Sequence, residues 1–311
     1  MIRETADTTT HDTWWNNLHV ALRHDPSLID YPPRDRSPFD PDTDYPEYNG
    51  PVAESPNPVY GAVRATLAML ALDEPSAGTP DWNPLKGLVE PGMNVVIKPN
   101  LVADTLGPDA DLSALFTSMS VIRPLIDYVQ KALRGQGAIT LGDAPIQRTD
   151  WDNLMALSGI AESIDRLNDR HDVPIRMVDF RREVTRRDAF GMVVHRELRD
   201  AVDYVEVDLA RGSTLTPVTN GEGRFRVSQY DPTALQRHHN GTRNSYMIHR
   251  CVLDADDVIG VPKLKVHKKA GITCGLKNLV GIVCGKDWLP HYRIGDAQTR
   301  AGDQYEGKSR L

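Results

Sequence analysis

Short β-branched runs alternating with segments of helical period limit what this chain of 311 residues can fold into. Asn94–Lys98, Ala138–Leu141, Ile175–Phe180 and Asp257–Val261 have the length and composition of buried strands. Asn57-Pro58 reads as an N-cap followed by proline at the first helical position, and Val59, Val63, Leu67 and Leu70 carry an apolar stripe up to Leu72. Ser120–Leu133 repeats the stripe with Val121, Leu125, Val129 and Leu133 and closes at Gly135. Thr149–Leu157 opens on Thr149-x-x-Asp152, which resembles a capping box, and stops at Gly159. Ala270–Val283 reads as a helix interrupted by glycines. Strands that alternate with helices pair in parallel, and a parallel sheet is covered on both faces. The expected class is therefore α/β, a mainly parallel or mixed sheet with helices on both faces.

Residues 1–56 stand apart. They are polar and proline-rich (Tyr31-Pro32-Pro33, Ser37-Pro38-Phe39-Asp40-Pro41) and read as an extended arm with one short helix near Trp14–Leu22. Residues 57–311 read as a single α/β domain, with an excursion over the sheet at about 184–245. No apolar run approaches the ~18 residues of a membrane helix, and Met1–Thr13 holds no apolar signal core. Cys251, Cys274 and Cys284 cannot build a disulfide framework, so a reducing cytoplasmic setting is expected, and Cys274 and Cys284 read as small core residues. Nothing here fixes an oligomeric state.

The net charge of −7 argues against nucleic acid as a partner. Its distribution says more, because Gly260–Leu311 carries +6 and the rest of the chain −13. A basic segment in an acidic protein points to a local site for a small anion, or else to a solvated basic face.

Ligands of open parallel sheets bind beyond the carboxyl ends of the strands. Here those ends carry Lys98-Pro99-Asn100, Asp143-Ala144-Pro145-Ile146-Gln147, Asp179-Phe180-Arg181 and Lys263-Leu264-Lys265-Val266-His267-Lys268. Lys263, Lys265 and His267 alternate, so an extended backbone points them to one side, where their charges need an anion or open solvent. Lys277 sits in an apolar, glycine-rich stretch and calls for a partner, either Asp143 or a ligand. The substrate-binding candidates are Lys98, Asn100, Gln147, Lys263, Lys265, Lys277, Asn278 and Arg293; Asp143, His267 and His291 are the acid–base candidates. A helix cap is the other use for Asp143, and structural hydrogen bonding the other use for His291. His238-His239 is a poor metal pair, since adjacent side chains diverge in a strand.

Familiar signatures are missing. Gly221-Glu222-Gly223 has no strand before it and no third glycine, and Gly271–Asn278 departs from a phosphate-binding loop in spacing and in its last residue. The sequence has no Cys-x-x-Cys, Gly-x-Ser-x-Gly or His-Glu-x-x-His.

The run Val261–Gly281 (VPKLKVHKKAGITCGLKNLVG) resembles the signature of the domain of unknown function 362 family. Val96–Leu101 (VIKPNL) and Gly142–Pro145 (GDAP) match its earlier blocks, and the likeness extends over about residues 40–305. Many members are described as iron–sulfur proteins because they carry ferredoxin-like segments. This sequence lacks them and has only three cysteines, without ligand spacing, so neither an iron–sulfur cluster nor a structural zinc is expected, and no other cofactor is indicated. Two functions fit the residues. One is an enzyme acting on a small carboxylate- or phosphate-bearing substrate, with Lys263, Lys265 and Lys277 fixing the anion and Asp143 or His291 moving a proton. The other is a non-catalytic module that binds an anion or cofactor for a separate redox or biosynthetic partner. Both signs of charge at the strand ends favour the enzyme.

Overall fold

The computed structural model describes residues 20–105, 111–188, 190, 193–219, 223–227, 232–267 and 271–295. Its centre is a four-stranded parallel sheet of β1 (Asn94–Pro99), β2 (Ala138–Asp143), β3 (Ile175–Asp179) and, later in the chain, β9 (Asp257–Val261). The order is β3-β2-β1-β9. From β1 the chain runs to one side through β2 and β3, then returns to the other side with β9. The order therefore reverses between β1 and β9, and a crevice opens there beyond the strand ends.

One sheet face holds Val95, Ile97, Ile139, Leu141 and Ile175, packed under α2 (Met119–Leu133), α3 (Trp151–Ser158) and α4 (Ile160–Asn168). Ile122, Ile126, Val129 and Leu133 of α2 are fully buried there, each worth about 1.5–3 kcal/mol of apolar burial. α1 (Pro58–Met69) lies against α2, and its N-cap is Asn57, whose side chain accepts the Tyr60 N–H. The other face carries Val96 under Phe180, Tyr204, Met247 and Cys284. Its cover is the antiparallel ribbon β6 (Tyr204–Asp208) and β8 (Ser245–His249), helped by the four-residue α6 (Arg250–Leu253). The class is α/β, and its long helices lie on one face.

Smaller pairs complete the fold: β4 (Glu183–Arg187) with β5 (Val193–Leu198), β7 (Phe225–Arg226) with β12 (Tyr292–Arg293), and the hairpin β10 (Lys265–His267) with β11 (Gly271–Thr273). α5 (Pro232–His238) lies within the 184–245 excursion. The polar segment from Val20 to Pro56 is mostly irregular but anchored, for Phe39 is buried, Asp40 pairs with Arg123 and Arg170, and Glu47 pairs with Arg64. The helix expected near Trp14–Leu22 falls mainly on residues 1–19, outside the described ones.

Several local expectations are corrected. Thr149 does not cap α3. Asp150 does, accepting the Asn153 N–H at 3.1 Å, and Gly159, left-handed at φ 71°, ends that helix and starts α4. Helix α2 ends at Leu133 and is capped by Arg134, itself left-handed at φ 49°, one residue before Gly135. The helix expected over Ala270–Val283 is instead β11, then the one-turn α7 (Gly275–Asn278) and a 3-10 turn, Leu279–Ile282. Glycines in a helix interior cost about 1 kcal/mol each, while Gly271 at φ 71° and the β-branched Ile272 and Thr273 suit a hairpin arm. The hairpin has two unlike faces. Lys263, Lys265 and His267 line the cavity beyond the strand ends, while Leu264, Val266 and Ile272 are 65%, 91% and 58% exposed, Val266 at the cavity's edge. Among the described residues no helix is long and apolar enough to cross a membrane.

Candidate functional site

Beyond the carboxyl ends of β1, β2 and β9 lies a cavity of about 810 Å3. At its base is Lys98, a fully buried lysine in a central strand, which can persist there only if its charge and its donors are satisfied. Its Nζ lies 2.8 Å from Asp143 Oδ1 and donates to the Pro99 carbonyl oxygen at 2.7 Å and to Asn278 Oδ1 at 3.0 Å. Three N–H donors thus meet three acceptors. Asp143 Oδ1 also accepts the Ala144 N–H, and its Oδ2 accepts the Leu101 N–H at 2.6 Å. Burial pushes the Asp143 carboxyl above the usual carboxylate range, against the opposing pull of Lys98 and the two backbone donors. Asn278 closes the unit by donating its Nδ2 to the Lys98 carbonyl oxygen at 2.9 Å.

Gly281 lies on top of this unit, and its carbonyl oxygen accepts from Ala144 N–H at 2.8 Å. A Cβ there would overlap Asp143 Oδ1 and lie 2.6 Å from Lys98 Nζ. Only glycine lets the turn approach this closely.

The cationic wall rises from the hairpin and the turns after it. Lys265 Nζ donates to Asn100 Oδ1 at 2.8 Å and to the Ala114 carbonyl oxygen at 3.1 Å. Burial lowers the Lys265 ammonium from its ordinary value, and the charges of Lys263 and Lys277 lower it further. Lys263 Nζ donates to Tyr31 Oη at 2.9 Å and sits 4.2 Å from that ring's centre. Lys277, Lys286, His267 and His291 line the same cavity, as does Gln147 from the segment that follows β2. Asp143 is the one carboxylate among the described lining residues, and it is already paired with Lys98.

The sequence-predicted residues therefore come together with one exception. Lys98, Asn100, Asp143, Gln147, Lys263, Lys265, His267, Lys277, Asn278 and His291 all line the cavity. Arg293 sits in β12 opposite Phe225 and is not among the described lining residues. Lys268 and Lys269 lie outside the described residues. The partner expected for Lys277 in Asp143 is instead held by Lys98. The third strand end builds a scaffold: buried Arg181 pairs with Asp179 and donates to the carbonyl oxygens of Ile146, Gln147 and Thr149, which fixes the loop bearing Gln147. His239 is structural, with its Nε2 2.9 Å from the Trp288 carbonyl oxygen, and His238 stacks on Trp288. No cluster of metal-ligating side chains occurs among the described residues. Cys284 is in the core as expected, whereas Cys274 is exposed and lines the cavity, because the expected helix is a hairpin.

Sequence reasoning passed over Lys286, Arg148 and Thr185 on the cavity wall. Lys286 follows Gly285 in a stretch without period, and only its share in the basic charge of the C-terminal segment pointed toward it. Burial and the nearby charges of Lys277 and Arg181 push its ammonium down to about 8, against Asp143.

A family model described as "Domain of unknown function (DUF362)" matches residues 95–210 and 207–301. No curated protein matches, and no solved structure does.

Proposed function

The chain belongs to the domain of unknown function 362 family, whose description assigns no activity, and from the cavity itself we propose an enzyme acting on a small carboxylate- or phosphate-bearing substrate. One observation carries this reading. Lys263, Lys265, Lys277 and Lys286 border a single cavity whose one carboxylate among the described residues is neutralised by a fifth lysine. Crowded ammonium groups repel unless an anion lies between them. Lys265 and Lys277 hold the anionic group in this reading, with Lys263 at the rim and Gln147 donating from the opposite wall. Lys98, Asp143 and Asn278 are positioning residues in this reading, because their polar atoms are occupied by one another and by backbone groups. Proton transfer then falls to His267 or His291, each on the cavity wall and each of a type that titrates near neutral pH. The free cysteines and the acidic net charge support a reducing cytoplasmic setting without nucleic acid as partner.

The test is a pair of melting series on wild type and Lys265→Ala, with inorganic phosphate or citrate at matched ionic strength. Bound anion stabilises the fold by mass action, about 2.7 kcal/mol at 100 times its dissociation constant. We expect the wild-type midpoint to climb with anion and the variant's to climb much less. Equal climbs in both would remove the lysine wall as the site. A second reading, a non-catalytic module that presents an anion or cofactor to a partner, draws support from the saturation of Asp143, which leaves that carboxylate no free role as a base.

A further inference from the structure

Two lysines that line the cavity are in opposite states. Lys98 has every donor paired. Lys286 Nζ has no hydrogen-bond or ion-pair partner among the described residues, although the side chain is partly buried and lines the cavity. Its backbone origin is fixed. Cys284 and Gly285 are buried, and a Cβ on Gly285 would lie 2.6 Å from the Trp288 ring. An ammonium held this way without a partner is costly, so the balance shifts toward the neutral amine.

We infer that Lys286 is a covalent nucleophile of this cavity, forming an imine with the carbonyl carbon of an oxo acid whose carboxylate is held by Lys265 and Lys277. This rests on the anion-site reading and narrows its substrate class. The amine lone pair attacks the carbonyl carbon, and the oxygen takes a proton to give a carbinolamine. The nitrogen gives up both of its protons, and the hydroxyl, protonated once more, departs as water to leave the C=N bond. Amine plus carbonyl gives imine plus water, with no change of oxidation state. His267 and His291, on the same wall, are placed to supply and remove those protons. The groups whose charges act on Lys286 are Asp143 from the end of β2, Lys277 of α7, Arg181 after β3 and the neighbouring Cys284. An ammonium brought down to about 8 from 10.5 supplies far more free amine at neutral pH than an ordinary lysine.

The experiment treats the full chain at pH 7 with sodium cyanoborohydride and either acetaldehyde, which has a carbonyl alone, or glyoxylate, which adds a carboxylate. Adducts are located by peptide mass mapping over time, with exposed Lys86 as internal reference. We expect Lys286 to label about tenfold faster than Lys86 with acetaldehyde, the gain from free amine being partly offset by its lower basicity. Glyoxylate widens the ratio, Lys265→Ala removes that extra gain, and Lys286→Arg abolishes the adduct while the protein still melts cooperatively. Labelling of Lys286 no faster than Lys86 with either reagent overturns the inference, even if phosphate still stabilises the fold and the anion site stands. Fast labelling by acetaldehyde with no advantage for glyoxylate, in a protein that phosphate does not stabilise, overturns both the oxo-acid assignment and the anion site beneath it.

Discussion

A buried ammonium with three acceptors and a buried carboxylate with three donors form a closed electrostatic unit, and its energetics depend on keeping both members. Removing one partner of such a pair typically costs about 3–5 kcal/mol, because the other charge remains buried without its neutraliser. Lys98→Met and Asp143→Leu should each lower the urea-derived stability by that order, while the double variant should lose much less than the sum. Additive losses would mean the two side chains contribute independently. The sequence already placed Lys98 and Asp143 at strand ends, yet both read there as groups facing a ligand. Which lysine pairs with Asp143 depends on β1 lying beside β2, and sheet order is not written in strand composition. Lys286 was hidden for the same reason, since two of the charged groups around it, Asp143 and Arg181, come from distant strand ends.

At the scale of elements, the turn Leu279–Ile282 fits over the ion pair only because position 281 has no side chain. Gly281→Ala should displace this turn, disturb Asn278, and destabilise the fold by about 1–3 kcal/mol, the usual cost of overpacking. Parallel denaturation and phosphate-stabilisation measurements would check it, and an unchanged midpoint would contradict the close approach. The four strands of the main sheet were legible to within two residues because their apolar, β-branched runs are short and sharply bounded. Asn57-Pro58 likewise marked the start of α1, as both cap and proline act locally. The hairpin β10–β11 was not legible as such. The spacing of Lys263, Lys265 and His267 puts them on one side, and all three line the cavity, but the glycines after them suggest a broken helix where the backbone turns back on itself.

Across the whole molecule, Lys98, Asp143 and Asn278 meet from three parts of the chain, with 180 residues separating Lys98 from Asn278. Contacts of such separation form only when the sheet is complete, so the base of the cavity should open with global unfolding rather than by local fraying. The Leu101 amide, which donates to Asp143, is the reporter for this. Its hydrogen-exchange protection should equal the global unfolding free energy, and phosphate should raise the two by the same increment. Exchange several kcal/mol easier than global unfolding would show that the site opens by itself. The acidic remainder of the chain sets the long-range field of this protein, so ionic strength should matter chiefly for how an anion reaches the cavity.

The two-residue alternation that turns cations inward on the hairpin leaves Leu264, Val266 and Ile272 facing water. Val266 and Ile272 are direct cross-strand partners, so their side chains form one oily strip instead of two isolated spots. This strip governs how the protein behaves toward surfaces during handling. It should be retained on a phenyl chromatography matrix in moderate ammonium sulfate, and Val266→Thr should elute earlier with its melting midpoint nearly unchanged, since the side chain touches mostly solvent. Co-elution of the two proteins would assign the stickiness elsewhere on the surface.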